Sequence, residues 1–216
     1  MFWRFVRAFL FFFIPACLVQ AQQETPGVLP VTIETIDATA RAAGVSRDPR
    51  AVAGKDFSLR KAYDDVFKIL GAVNSCSDFY GGPVLATTVL NRLLGNVERG
   101  ELPTFVSFQM TGHPQNYFNA KSGASYRLFD KAIVNEEGAF YQRRFDPKMS
   151  QPRNVGSFPP GTRAARALIL MHELAHLIKG RDGAWLIADD GSDSWQSKQN
   201  TARVEQKCWA QLKELN

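Results

Sequence analysis

The chain has 216 residues, with 26 Lys+Arg, 21 Asp+Glu and three His, and a net charge of +5. With 45% hydrophobic and 22% charged residues it has the composition of one globular domain, which excludes a disordered chain, a collagen-like repeat and a disulfide-dense miniprotein. Arg4 and Arg7 supply two of the excess charges, so the chain beyond residue 21 carries only +3, with no basic run interleaved with aromatics; a nucleic-acid partner is not expected.

In chain order, Met1 to Ala21 has the form of an export signal. Arg4 and Arg7 form a basic start, Ala8 to Ile14 an apolar run, and Val19-Gln20-Ala21 a small-residue cleavage site. The run is shorter than the roughly 20 residues of a spanning helix, and Pro15 follows it. The mature chain is therefore expected to be secreted or periplasmic and free of the membrane. Cys17 offers a lipoprotein alternative, with proline in a poor place for one. Removal of the leader leaves Cys76 and Cys208, the pair expected to form one disulfide in an exported protein; two buried free thiols are the alternative.

Residues 22–55 read as a linker or extension, with a short helix near 36–43, and residues 56–216 as the folded domain. Phe57 to Leu70 carries a helical apolar stripe. Asn74 to Gly82 reads as a loop, and Val84 to Leu94 as a second helix stopped by Gly95. Thr104 to Met110 reads as a short strand. Tyr126 to Val134 and Ala139 to Arg144, around Asn135 to Gly138, suggest a hairpin, and Asp146 to Pro160 a loop. Arg163 to Lys179 is the strongest helix, capped by Thr162 and stopped by Gly180. An acidic loop, Ala188 to Gln196, leads to a last helix over Ser197 to Leu215. Asn200, Val204 and Cys208 share one of its faces and are expected to pack it on the strong helix. The expected fold class is α+β: short antiparallel strands, including the hairpin, on a central helix and a C-terminal helix.

The central helix contains Met171-His172-Glu173-Leu174-Ala175-His176, an H-E-x-x-H pattern that uses two of the three histidines. Residues four apart lie on one helix face, so both imidazoles can reach one Zn²⁺ ion. Glu173 flanks that face as general base for a water on the metal. A catalytic zinc needs a third protein ligand. Asp182, Glu205 and Asp190 are the candidates by position. The alternative reading is that the two histidines and the glutamate are merely hydrogen-bonded on a partly exposed helix face.

On these residues the chain resembles the zincin metallopeptidases. Its stretches Cys76-Ser77-Asp78-Phe79-Tyr80-Gly81-Gly82 and Asp190 to Cys208 resemble small exported bacterial proteins of metallopeptidase type. The resemblance implies a zincin-like fold, peptide-bond hydrolysis with a peptide or protein substrate, zinc as cofactor, and Asp190 as the third ligand beside His172 and His176. It departs from the longer H-E-x-x-H-x-x-G-x-x-H pattern, because Lys179 stands at the glycine position before Asp182. His113, Tyr126 and Tyr141 are candidates for oxyanion stabilisation by residue type alone. Asp189, Asp190 and Asp193 could also form a Ca²⁺ loop, or a solvated one. Two other functions remain open on sequence: a zinc-stabilised exported binding module without catalysis, and a zinc hydrolase of a non-peptide amide such as a cell-wall crosslink.

Overall fold

The computed structural model of the chain describes residues 46–103, 106–120, 122–142, 154–191 and 193–216. The expected leader, Cys17 and the helix near 36–43 lie outside them, as do Thr104, Phe105, Arg143 and Arg144 of the expected strands and residues 146–153 of the expected loop. The fold is mixed α+β, with one buried core shared by helices and strands.

Four longer helices among the described residues form where the sequence carries an apolar face, and three of them also carry a side-chain cap. α1 (Phe57–Gly71) starts at Asp56, whose carboxylate accepts from Leu59 N at 3.0 Å, and buries Leu59, Ala62, Tyr63, Val66, Ile69 and Leu70. α2 (Ser75–Phe79) replaces the expected loop. Asn74 accepts from the N–H groups of Cys76 and Ser77, and the Ser77 hydroxyl accepts from Asn74 N at 3.1 Å, a reciprocal cap that closes one helical turn and buries Cys76. α3 (Pro83–Gly95) begins with proline in its first turn, where a missing N–H costs nothing. α4 (Arg163–Leu177) is capped by Thr162, which accepts from Ala165 N at 3.2 Å. It is buried from Ala164 to Leu177 except at Glu173, and packs against α1, α3 and α5 (Ser194–Leu212). Asn200, Val204 and Cys208 are all buried on α5, as their spacing requires.

The strands depart further from expectation. β1 (Val97–Gly100), β2 (Phe108–Thr111), β3 (Gln115–Asn119), β4 (Ala124–Leu128) and β5 (Lys131–Asn135) form two small sheets. In one, β5 lies between β1, which is parallel to it, and β2, which is antiparallel. In the other, β3 and β4 form an antiparallel pair. Among the described residues, the expected hairpin of 126–134 with 139–144 does not form. Phe129 and Asp130 break the first run into β4 and β5, with the Asp130 carboxylate accepting from His113 N at 3.0 Å, and residues 136–141 turn. The buried Asn135 amide donates to the carbonyls of Leu102, Pro103 and Val106, which ties the end of β5 to the chain beyond β1.

α4 ends at Leu177, two residues earlier than expected, and Gly180 is not its stop. Ile178 is extended (φ −113°, ψ 137°) and bridges Tyr126 of β4; Lys179 N donates to Ser125 O at 2.9 Å and Leu186 N to Ile178 O at 3.0 Å. The chain leaving the helix thus continues the β3–β4 sheet, and that pairing outcompetes another helical turn. Leu186 and Ile187 then anchor it in the core, which brings residues 188–190 back beside α4.

At the other end, part of the expected linker packs on the domain. A short 3-10 helix, Pro49–Val52, buries Ala51 and lies on α3. Cys76 and Cys208 have Sγ atoms 1.98 Å apart and Cα atoms 4.5 Å apart, a disulfide that ties α2 to α5.

Candidate metal centre

His172 and His176 stand on consecutive turns of α4, each 6% exposed. Their Nε2 atoms are 3.1 Å apart. Asp190 approaches from the loop before α5, with Oδ2 3.0 Å from His172 Nε2 and Oδ1 3.6 Å from His176 Nε2. One ligand atom from each of the three lies within 4.8 Å of the others, a grouping that could hold a metal ion.

The supporting residues come from α5 and β4. Asn200 donates its amide to the Asp190 carboxylate and to Ala188 O, the latter at 2.7 Å, and its own oxygen accepts from Gln196 at 3.1 Å. Its burial therefore reflects a hydrogen-bonding task as well as the packing expected of its face. Thr201 Oγ1 lies 3.0 Å from His172 Nδ1, on the ring edge away from Asp190. Arg127, on β4, is buried, stacks over Trp185, donates to His176 O at 3.0 Å and pairs with the Asp189 carboxylate. It satisfies one of the carbonyls orphaned where α4 ends and fixes the residue adjacent to Asp190.

Burial works against the charge on Asp190, but the hydrogen bond with His172, the nearby His176 and the His172 charge outweigh it and hold the carboxyl below the usual carboxylate range. Burial lowers the pKa of His172, with the Asp190 hydrogen bond opposing. Glu173 is partly buried between the histidines in sequence. Burial, with the Asp190 charge adding, raises its carboxyl well above the ordinary value of 4.5. It forms no hydrogen bond with another described residue.

The other sequence candidates lie elsewhere. Glu205, also buried on α5, turns its carboxylate to Ser157 N, with both oxygens at 3.2 Å. Asp182 is exposed and accepts from Ala184 N at 3.1 Å in the turn after α4. Asp189, Asp190 and Asp193 do not converge as a Ca²⁺ loop would: Asp189 faces Arg127, Asp190 the histidines, and Asp193 caps α5 by accepting from Trp195 N at 2.8 Å. His113 is exposed at the β2–β3 turn. The Tyr141 hydroxyl donates to Asp56 at 2.5 Å. Tyr126 is buried in a stack with Tyr117 and under Arg92. None of these three joins the histidine group.

Comparison with protein-family models, curated proteins and solved structures gives no match. The donor set itself limits the chemistry. His172 Nε2 can donate to Asp190 or accept from His176, but one proton cannot serve both contacts. A cation among the three atoms satisfies all of them at once. Two imidazole nitrogens and one carboxylate oxygen form a borderline-soft set of three, the number that leaves a further position open on a tetrahedral ion. The residues present therefore fit a divalent metal. Thr201, Asn200, Arg127 and Asp189 were not legible as parts of this site: none lies in the H-E-x-x-H motif, and Thr201 and Asn200 reach it only because α5 packs on α4.

Proposed function

We propose that the chain is an exported zinc-dependent peptidase of the zincin type, holding zinc through His172, His176 and Asp190. The observation that carries this reading is the convergence of these three donors beside a carboxylate, Glu173, with no partner of its own among the described residues. When bound, zinc supplies a Lewis acid that acidifies nearby water towards a pKa of about 7 and polarises a carbonyl oxygen.

Glu173 takes the proton from the attacking water and returns it to the amine that leaves as the peptide bond breaks. Its environment bears on the second half of that task. A carboxyl in water gives up its proton too readily to act as the acid, whereas burial raises the proton affinity of Glu173. Asp190, whose carboxyl already lies below the usual carboxylate range in the metal-free site, completes the donor set as a carboxylate. Burial disfavours the charged form of His172, which leaves its ring available as a neutral metal ligand.

Metal analysis of the mature protein, with Glu173→Gln and His172→Ala beside it, tests the reading. Wild type should carry about one zinc per chain and cleave peptides. Glu173→Gln should keep zinc and lose hydrolysis; His172→Ala should lose both. A zinc-binding chain whose interactions survive Glu173→Gln and which cleaves no peptide would instead be a binding module. Cleavage confined to a non-peptide amide would keep the mechanism and change the substrate.

A further inference from the structure

We propose that Thr201, on α5, is the positioning residue for His172: its hydroxyl accepts the Nδ1–H of the imidazole in the zinc-loaded protein and so aims Nε2 at the ion. This rests on the zinc-site reading above and adds to it a residue outside the H-E-x-x-H pattern.

The geometry carries it. Thr201 Oγ1 is 3.0 Å from His172 Nδ1 and 2.9 Å from Ser197 O, one turn back on its own helix. A hydroxyl has one proton and can also accept. With that proton on Ser197 O, Oγ1 is an acceptor, and His172 must carry its own proton on Nδ1. Nε2 then presents a lone pair towards Asp190 and His176, as a metal ligand must. Were His172 to carry its proton on Nε2 and donate to Asp190 instead, the hydroxyl would rotate to donate to Nδ1. A threonine hydroxyl serves both arrangements. A carboxylate in its place could only accept, and a valine could do neither.

The two histidines differ in this respect. His176 Nδ1 is buried with no hydrogen-bond partner among the described residues; the nearest carboxylate oxygen, Asp189 Oδ1, is 3.9 Å away. His172 alone of the pair has an outer partner at hydrogen-bond distance. That partner stands on a rigid element, since α5 is anchored through Val204 in the core and through the Cys76–Cys208 disulfide. Loss of such an outer partner typically lowers metal affinity about 10- to 100-fold.

The test titrates the metal-free full chain with Zn²⁺ against a competing chelator. Thr201→Val should bind zinc about 10- to 100-fold more weakly than wild type, and Thr201→Ser should recover most of the loss. Nitrogen-15 NMR of zinc-loaded wild type should show a His172 Nδ1–H protected from exchange; in Thr201→Val that protection should vanish while metal-free unfolding stays cooperative. Equal affinity in wild type and Thr201→Val overturns the proposal, as does an unprotected Nδ1–H in the wild-type zinc form. The NMR result decides alone if Thr201→Val does not fold. Failure of wild type to bind zinc at all would remove the underlying zinc reading and this inference with it, whereas zinc binding with equal affinities removes this inference only.

Discussion

The Asn200 side-chain amide bonds the carboxylate of Asp190, ten residues earlier, while also donating to Ala188 O at 2.7 Å. One buried group on α5 therefore fixes both the backbone of the ligand loop and the carboxylate it delivers to the histidines. Asn200→Ala should leave the helix in place and weaken zinc binding by about 10- to 100-fold, read by competition with a chelator. Unaltered affinity would mean that the loop positions Asp190 unaided.

Asp190 and Glu205 separate cleanly as third-ligand candidates. Asp190→Ala should abolish stoichiometric zinc. Glu205→Ala should retain it and instead lower stability by about 1–3 kcal/mol, because Ser157 N loses its acceptor. Metal content and denaturant unfolding of the two variants measure this. Zinc retained in Asp190→Ala and lost in Glu205→Ala would reverse the assignment.

The helices were legible because their signals are local. Asp56 and Thr162 mark starts, and periodic apolar residues mark buried faces, so α1, α3 and α4 fall close to their expected places. The strands were legible only in part: the expected run 104–110 overlaps β2 and the run 126–134 overlaps β4 and β5, but β1 and β3 were not expected. β1 (VERG) and β3 (QNYFN) lack a clean apolar alternation, and each is defined by a partner distant in sequence or by a turn. The end of α4 depends on Ser125 and Tyr126, some fifty residues earlier, which the helix's own sequence does not encode. His172, Glu173 and His176 could be read from spacing because one helix carries all three. Thr201 and Arg127 could not, since only tertiary packing brings them to His172 and His176.

The pKa of Glu173 has a consequence for stability. Below the ordinary value of 4.5, folded and unfolded chains both hold the proton and the group is neutral to folding. Above it the unfolded chain ionises while the folded carboxyl keeps its proton, so stability falls as pH rises towards the folded pKa. In metal-free protein Glu173→Gln removes that loss. The variant should match wild type in urea unfolding near pH 4 and exceed it at pH 7. A variant no more stable than wild type at pH 7 would show that the carboxylate is not disfavoured by burial.

The Cys76–Cys208 disulfide closes a sequence separation of 132 residues, for which the chain-entropy model gives at most about 5 kcal/mol. Reduction, or the double Cys→Ala variant, should lower the urea midpoint without altering the ligands themselves. Thiol alkylation with and without reductant checks the state of the pair; two reactive thiols in the native, unreduced protein would contradict it.

The decisive experiment follows hydrolysis of a broad peptide library by the wild-type protein before chelation, after chelation and after zinc is restored. Cleavage should stop with chelator, return with zinc, and be missing from Glu173→Gln under every condition. Cleavage that persists in chelator, or that Glu173→Gln performs at the wild-type rate, would contradict the zinc-peptidase proposal.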